Sequence, residues 1–403
     1  MRIGIVTTWF ERGAAYVSKQ YEDILKKQGN EVFIYARSGE KYAIGDKNWD
    51  KENVYWSKRY SFPIFNYTDS KELVQWAKNN KIDTVIFNEQ YWLPNVIALK
   101  NIGVKVGAYI DYYTEDMLPT FNVYDFLLCN TKKHFSVFKD LHSNALYLPW
   151  GTDINLYNTS ALRESSEKIR FFHSAGMSSY RKGTDLAVRA FLLLDEEYLK
   201  QCELIIHTQR SPFCDLTEDE KIKVDNYIEK GFITVIDKTV SAPGLYHLGD
   251  VYIYPSRLDG IGLTITEAIA SGMPVVVPND KPMNEFVTLD SYQVEINKFF
   301  CRSDAYYWPM NEVDINDLGN AYIYYINNKY NICNFSVNAL EFSEKELSFE
   351  NNMKNLSNVI MSSSKVNLSH EILISCVKFN EKRFFKIIKF EMIYRNLFSV
   401  LRR

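Results

Sequence analysis

The chain has 403 residues, of which 46% are hydrophobic and 24% are charged, and its formal net charge is −3. This length exceeds what one ordinary hydrophobic core requires and predicts two or three domains. The near-neutral charge gives no electrostatic reason to expect a nucleic-acid partner. The many aromatic residues (28 Tyr, 25 Phe and 7 Trp) fit either sugar-stacking surfaces or a bias in composition, since Asn, Ile and Lys are abundant as well.

Three features predict a cytoplasmic protein. The six cysteines form no CxxC pair and no metal-like cluster, which indicates reduced thiols. Met1 and Arg2 lead directly into a strand-like run, so no signal peptide is predicted. No uninterrupted apolar run approaches the roughly 20 residues that a membrane-spanning helix needs.

Short β-branched or aromatic runs alternate with helical patterns through the first part of the chain. This alternation predicts a parallel sheet with helices on both faces. The strand candidates are residues 2–9, 31–36, 84–87, 105–110, 126–129 and 146–148.

A polar stretch at residues 155–168 interrupts this alternation and predicts a linker. The alternation then restarts, and the sequence therefore predicts an α/β fold with two Rossmann-like, doubly wound parallel-sheet domains, at residues 1–155 and 165–345, that face each other across a cleft. In such sheets, ligands bind beyond the carboxyl ends of the strands. The second set of strand candidates is 169–174, 204–208, 232–236, 250–254 and 274–277.

Residues 346–403 show no strand pattern and are predicted to be helical. Residues 346–361 fit one helix that packs back over the domains. Residues 378–403 fit a basic amphipathic helix, which predicts binding to a membrane surface on its cytoplasmic side; docking onto the protein's own domains is the alternative. The basic residues are Lys378, Lys382, Arg383, Lys386, Lys389, Arg395, Arg402 and Arg403.

Residues 254–274 form the most informative stretch, which reads as a strand, a loop with two glycines and a helix. The glycines let the backbone approach a ligand closely. The helix begins near Leu263 or Thr264 and offers unpaired N–H groups and a positive dipole potential to an anion. Glu267 lies about one turn into this helix, where its carboxylate is suited to accept hydrogen bonds from sugar hydroxyls. A tight turn without catalytic function is the alternative.

This stretch resembles the donor signature of the retaining glycosyltransferases of family 4, which have the GT-B fold. Asp259 and Glu267 have the eight-residue spacing of the two acids in that signature. The resemblance implies that Glu267 binds the ribose hydroxyls of a nucleotide-sugar donor, and that Asp259 and the backbone after it hold the donor sugar and pyrophosphate. The family usually has Glu at the position of Asp259, so either the loop lies closer to the sugar or this contact is lost. The implied backbone ligands are Gly260, Ile261, Gly262, Leu263 and Thr264.

A second donor element is predicted at residues 172–184, where Arg181 and Lys182 precede a helix. Cations beside a helix start can clamp a pyrophosphate without a metal. The segment resembles the Gly-Arg…Lys-Gly element of the same family: Lys182 and Gly183 match, whereas Met177 replaces the usual Arg. The resemblance implies that Lys182, helped by Arg181, assists departure of the nucleoside diphosphate. An exposed basic turn is the alternative.

The first predicted domain carries fewer motifs. Gly13 lies after the first strand, where the family often has a glycine-rich loop near the donor phosphate and the acceptor. The family's usual His after strand 105–110 is replaced by Asp111, a candidate catalytic or acceptor-orienting group. An ordinary loop carboxylate is the alternative for Asp111. His173, His207 and His247 are each predicted to be a histidine satisfied within a sheet, and a position lining the cleft is the alternative.

The resemblance implies that a sugar moves, with retention of configuration, from a nucleotide-diphosphate sugar to a glycan or lipid-linked glycan, in surface polysaccharide synthesis. The leaving phosphate oxygen would accept the proton of the acceptor hydroxyl. No cofactor and no metal are expected, because no Asp-x-Asp lies near the donor motifs. Two alternatives are a catalytically inactive homologue that serves as a partner subunit and a nucleotide-sugar epimerase.

Overall fold

The structure, a computed structural model, describes residues 1–37, 43–58, 67–90 and 92–388, and the side chains of residues 383–388 lie outside this description. Contacts divide the chain into two compact units. The first consists of Met1–Leu148 and Met353–Arg403, and the second of Pro149–Asn352. The domain bounds predicted from the sequence stay a prediction.

A parallel sheet of seven strands, in the order β3-β2-β1-β4-β5-β6-β7, forms the centre of the first unit. The sequence predicted six of these strands and missed β3, which is three residues long and lies at the edge of the sheet. The strands are β1 (Arg2–Thr7), β2 (Glu31–Ala36), β3 (Val54–Trp56), β4 (Thr84–Phe87), β5 (Lys105–Tyr109), β6 (Phe126–Cys129) and β7 (Ala145–Tyr147).

The helices between these strands follow their apolar periodicity. In the first helix, Val17, Tyr21 and Leu25 are buried at helical spacing, and Gly29, just beyond its end, has a φ of 79° that suits a C-terminal cap. A 3₁₀ helix spans Glu115–Val123. The α-helices are α1 (Gly13–Lys27), α2 (Ser70–Asn79), α3 (Pro94–Asn101) and α4 (Lys132–Phe138).

A parallel sheet of six strands, in the order β10-β9-β8-β11-β12-β13, forms the centre of the second unit. The first five of these strands were predicted. The sequence missed β13 and the antiparallel pair β14–β15. The strands are β8 (Ile169–Gly176), β9 (Cys202–Thr208), β10 (Ile233–Asp237), β11 (Val251–Ile253), β12 (Val275–Pro278), β13 (Tyr292–Val294), β14 (Ile296–Phe300) and β15 (Met310–Val313).

The helices of the second unit cover this sheet, and the apolar residues of its long helices join the core, among them Leu186 and Phe191. Four 3₁₀ helices span Ser160–Leu162, Tyr246–Leu248, Met283–Phe286 and Lys329–Asn331. The α-helices are α5 (Ile154–Tyr157), α6 (Ser179–Lys182), α7 (Thr184–Phe191), α8 (Glu196–Leu199), α9 (Glu218–Glu229), α10 (Leu263–Ala270), α11 (Ile315–Asn327), α12 (Ile332–Glu346) and α13 (Phe349–Asn352).

In both sheets the strand order reverses beside the first strand of the unit. In the first sheet this point lies between β1 and β4, and in the second between β8 and β11. Doubly wound sheets bind ligands at this point, beyond the carboxyl ends of the strands. The loops after β8 and β11 are therefore where a ligand site is expected in the second unit.

The chain returns to the first unit through α14 (Leu356–Ser362) and α15 (His370–Ile388). The prediction of a single helix over residues 346–361 is wrong, because this segment contains both α13 and α14. The Asn352 side chain donates to the carbonyl groups of Trp150 and Glu346, at 3.1 and 2.9 Å. Such side-chain bonds to the backbone compete with helix continuation.

The first part of α15 packs onto the 3₁₀ helix at Glu115–Val123. Cys376 and Phe379 are buried there, and the Lys382 ammonium lies 3.0 Å from the Asp116 carboxylate. The basic residues Lys389, Arg395, Arg402 and Arg403, and the side chains of Arg383 and Lys386, lie outside the described residues. Among the helices that the structure describes, none is both long and apolar enough to cross a membrane.

Candidate functional site

The loops after β8 and β11 pack closely against each other in the second unit. Gly183 has a φ of 72°, and a Cβ added to it would lie 2.0 Å from the carbonyl oxygen of Pro255. The backbone N–H of Arg257 and the hydroxyl of Ser256 both donate to the carbonyl oxygen of Arg181, at 2.9 and 3.1 Å. Only glycine combines this φ with this close approach without strain. The two predicted donor elements are thus joined by their backbones.

The side chain of Lys182 lies between these loops. Its ammonium group is 3.0 Å from Oδ2 of Asp259 and donates a hydrogen bond to the Tyr254 hydroxyl, which in turn donates to the same oxygen. The Arg181 guanidinium is 3.6 Å from Oδ2 and donates to the carbonyl oxygen of Leu258 at 2.8 Å. The side chains of Lys182 and Asp259 are only 15% and 12% exposed. The ion pair is therefore largely withdrawn from solvent.

The other oxygen of Asp259 binds the glycine-rich loop. Oδ1 accepts from the backbone N–H groups of Gly260, at 2.9 Å, and Gly262, at 3.3 Å. Burial by itself raises the pKa of Asp259, but the charges of Lys182 and Arg181 outweigh it and hold this pKa well below its ordinary value. Burial also lowers the pKa of Lys182 to about 8, although the negative charge of Asp259 opposes the decrease.

Glu267 lies in the second turn of α10, which follows Gly262 and its φ of 88°. The carboxylate accepts a hydrogen bond of 2.5 Å from the Tyr246 hydroxyl and a second one from Tyr157. Burial raises the pKa of Glu267 above its ordinary value, because it outweighs these hydrogen bonds and the charge of Lys182, which act to lower it. Two phenol groups thus hold the Glu267 carboxylate in place. It lies one turn beyond the start of α10, where an anionic ligand would bind favourably.

A buried ion pair also joins the two loops. The guanidinium of Arg257 binds both carboxylate oxygens of Asp185 in α7, at 2.6 and 2.7 Å, and it donates to the carbonyl oxygen of Tyr180 at 2.6 Å. It also stacks 4.1 Å from the ring centre of Tyr180. This pair was not predicted from the sequence. The available signal was Asp185, a charged residue in the first turn of a helix in which six of the other residues are buried.

The predicted histidine in the sheet is confirmed as buried and bonded on both ring nitrogens. Nδ1 of His173 lies 2.8 Å from the carbonyl oxygen of Ile253, and Nε2 lies 2.8 Å from the hydroxyl of Thr184. Burial lowers the pKa of His173 to about 4. The ring connects β8, β11 and α7 in its neutral form.

Some of the predicted site residues lie in the first unit and the others lie in the second. Gly13 begins α1 and Asp111 follows β5, both at the carboxyl edge of the first sheet, and their roles stay predictions. Within the ranges that the structure describes, no group of three or more His, Cys, Asp or Glu side chains is placed to hold a metal ion. The residues that the second unit brings to the two loops and α10 are Arg181, Lys182, Asp259, Gly260, Ile261, Gly262, Leu263, Thr264 and Glu267.

Comparisons with known proteins agree with this geometry. Residues 168–306 match the family model described as "Glycosyl transferases group 1". The lipopolysaccharide core biosynthesis mannosyltransferase LpsB of Rhizobium meliloti (strain 1021) is 27% identical over 119 residues, which span 30% of this chain and 34% of that protein. The chain thus matches about a third of the length of this curated relative.

Solved structures resemble the chain over most of its length. A glycosyltransferase from Rickettsia africae ESF-5 has a TM-score of 0.69 at 15% identity, over 90% of this chain and 99% of that one. Anabaena Alr3699/HepE in complex with UDP-glucose has a TM-score of 0.63 at 16% identity, over 90% of this chain and 100% of that one. These likenesses show the fold.

The two doubly wound sheets, the loop-to-loop packing and the structural neighbours define a protein of the GT-B class. Within that class, residues 168–306 of the second unit match the group 1 glycosyltransferases, and the mannosyltransferase relative is a member of the same kind of enzyme.

Proposed function

We propose that this protein transfers a sugar from a nucleoside-diphosphate sugar to a glycan or lipid-linked glycan, with retention of configuration, in the synthesis of a surface polysaccharide. One observation carries the proposal: Arg181 and Lys182 meet Asp259 in the glycine-rich loop that leads directly into α10, the helix that contains Glu267. The mannosyltransferase relative and the UDP-glucose complex of a structural neighbour support a nucleotide-sugar donor.

The charged residues of such a site would have separate roles. Lys182 and Arg181 would neutralise the diphosphate, together with the dipole at the start of α10, and so stabilise the leaving group as negative charge develops on it. Glu267 would accept hydrogen bonds from the ribose hydroxyls. The acceptor hydroxyl would attack on the face that the diphosphate leaves, and a leaving phosphate oxygen would take its proton. No side chain is required as a nucleophile.

A thermal-shift screen tests the donor class. Uridine, guanosine and adenosine diphosphate sugars are compared, and we expect one nucleotide to stabilise the fold by about 3 kcal/mol at a hundredfold excess over its dissociation constant. Glu267→Ala should abolish both this stabilisation and transfer. Transfer to a mixture of lipid-linked glycans is then followed by product analysis. Absence of stabilisation by every nucleotide would contradict the proposal.

One observation favours a catalytically inactive partner subunit as the second candidate. Both oxygens of Asp259 are bound within the protein, and Met177, which replaces the family's Arg, is 47% exposed. Such a subunit would bind nucleotide and yield no product with any acceptor. Turnover with the nucleotide sugar selected by the screen decides between the two.

We also propose that the basic C-terminal segment binds the protein peripherally to the inner face of a membrane, where a lipid-linked acceptor would lie. Because Cys376 and Phe379 are buried against the first unit, a matched variant should spare them. We therefore compare the intact chain with a variant in which Lys386, Lys389 and Arg395 are replaced by Gln. The intact chain should co-sediment with vesicles containing phosphatidylglycerol, and the variant should not. Equal pelleting of the two would refute membrane binding.

A further inference from the structure

We propose that Tyr254 and Asp259 are positioning residues that hold the ammonium group of Lys182 for the donor diphosphate, and that Asp259 is not itself a ligand of the donor. This inference rests on the proposed function, because it assigns Lys182 to a diphosphate. It differs from the role that the resemblance implies for Asp259, which was to hold the donor sugar.

The hydroxyl of Tyr254 occupies a fixed position. The side chain is fully buried at the end of β11, and its ring stacks on that of Tyr252 at 5.5 Å between ring centres. The ammonium group of Lys182 lies 4.6 Å from the centre of the Tyr254 ring, within range of a cation–π attraction. The phenol therefore contributes both its face and its hydroxyl to the position of Lys182.

Asp259 has little remaining capacity to bind a sugar. Oδ2 accepts from Tyr254 and Lys182, and Oδ1 accepts from the N–H groups of Gly260 and Gly262. An ionised carboxylate offers about four lone-pair sites, and these four donors match that number. The short side chain of Asp reaches the loop and the cation together. The usual Glu of the family would push the carboxylate further from the glycine N–H groups.

Lys182 retains capacity for a ligand. An ammonium group has three N–H donors, and two of them are directed to Tyr254 and Asp259. The third is the donor that a phosphate oxygen would accept. The ionisable groups that act on Lys182 are Asp259, Arg181 and Glu267, and Lys182 in turn acts on His173. Among these groups and Tyr254, only Asp259 and Tyr254 bond the ammonium directly in the described structure.

Competitive labelling with acetic anhydride measures the titration of Lys182 without any nucleotide. Reactivity is followed by mass spectrometry between pH 6.5 and 10 in the wild type, in Tyr254→Phe and in Tyr252→Phe. Removing the Tyr254 hydroxyl removes an acceptor of the charged form, so the midpoint should move to lower pH than in the wild type. Tyr252→Phe removes a buried hydroxyl from β11, two residues before Tyr254, and should leave the midpoint unchanged. An equal midpoint in Tyr254→Phe and the wild type would overturn the proposal.

Binding of a nucleoside diphosphate and of its nucleoside gives the second measurement. UDP and uridine are the probes, or the matching guanosine or adenosine pair if the thermal-shift screen selects one. Tyr254→Phe should weaken the diphosphate about tenfold, as expected for a hydrogen bond to a charged group, and leave the nucleoside unchanged. An equal loss for both probes would indicate a general structural role and overturn the proposal. Failure of the wild type to bind any diphosphate would instead refute the proposed function, while the labelling experiment still tests the positioning of Lys182.

Asp259→Glu distinguishes a positioning carboxylate from a donor ligand that is too short. If Asp259 positions Lys182, the longer side chain should weaken binding of the diphosphate by about tenfold and leave the nucleoside unaffected. If Asp259 is a shortened ligand of the donor sugar, Asp259→Glu should raise the rate of transfer. A higher rate in this variant would overturn the proposal.

Discussion

Arg257 and Asp185 lie 72 residues apart in the chain and form a two-point ion pair, with side chains that are 1% and 2% exposed. One residue belongs to the loop after β11 and the other to the first turn of α7. The pair lies close in the chain to the residues of the proposed donor site, since Lys182 precedes α7 and Asp259 follows Arg257. This ion pair therefore joins the same two loops that carry the proposed donor site.

Replacing Arg257 with Met should destabilise the fold strongly. Arg257→Met leaves the buried Asp185 with only the partly exposed Arg189 as a charged partner, and breaking a buried ion pair costs about 3–5 kcal/mol. Urea unfolding of the purified protein measures this change. Arg257→Met combined with Asp185→Leu should recover much of the loss, because the double variant leaves no buried charge.

Arg189→Met is the matched control for this experiment. Arg189 also binds Asp185, at 2.8 Å, but its side chain is 30% exposed and it shares Glu220 as a second partner. Its loss should change the free energy of unfolding by no more than about 1 kcal/mol. Equal destabilisation by the two single variants would show that burial of the pair does not set its strength.

Gly183→Ala should separate the two loops of the proposed donor site. Gly183 and Gly231 have nearly the same φ, 72° and 70°, but a Cβ at 183 meets the Pro255 carbonyl, whereas nothing lies within 4 Å of a Cβ at 231. Gly231→Ala should therefore cost only the left-handed backbone strain, about 1–2 kcal/mol. Gly183→Ala should cost more and also weaken nucleotide binding. Thermal unfolding and nucleotide titration measure both effects, and identical behaviour of the two variants would refute the close packing.

The sequence was sufficient for the parts of the fold that follow local pattern. Buried parallel strands such as β4 and β12 are continuous β-branched or apolar runs, which are recognisable without tertiary information. The edge strand β3 has only three residues and none of them is buried, so its pattern was too short to recognise. The helix predicted at 346–361 was interrupted by side-chain bonds from Asn352, whose partners cannot be read from a helical pattern.

The candidate site shows the same division. Glu267 and Lys182 could be predicted as site residues because a motif fixes their distance from a glycine and a helix start. Tyr254, Tyr246 and Arg257 were missed, because their contacts depend on which loops meet in three dimensions. Tyr254 looks like an ordinary strand residue until the loop after β11 brings Asp259 back to its hydroxyl. The structure was therefore required to find the side chains that hold the proposed ligand-binding groups in place.

Glu267→Gln should reduce recognition of the ribose. The amide keeps the size of the side chain but removes the charge that accepts the hydrogen bonds of Tyr246 and Tyr157. We expect affinity for the selected nucleoside diphosphate to fall by about ten- to a hundredfold, the range for hydrogen bonds to a charged group. Calorimetric titration with the ribose and the 2′,3′-dideoxy forms of the nucleotide gives the measurement.

The same titration contains its control. The wild type should prefer the ribose form, and Glu267→Gln should bind the two forms with similar affinity. If the variant still prefers the ribose form by the same factor as the wild type, Glu267 does not bind the ribose hydroxyls.

His173 should make the fold sensitive to acid between pH 6.5 and pH 4. Its pKa in the folded protein, about 4, lies below the ordinary value of 6.5, so in this window the unfolded chain binds a proton that the folded protein does not. Stability is therefore fully present above pH 6.5 and decreases as the pH falls towards 4, by about 3 kcal/mol in total from this group. Urea unfolding at a series of pH values measures the slope.

His173→Gln should lower stability at neutral pH, because it loses the bonds to Ile253 and Thr184, but it should flatten the slope in this window. His207→Gln, on the neighbouring strand β9, removes a ring that bonds only the carbonyl oxygen of Lys238 in the described structure and should keep the wild-type slope. Since the slope depends on proton uptake and not on the absolute stability, equal slopes in the wild type and His173→Gln would assign the acid sensitivity to other groups.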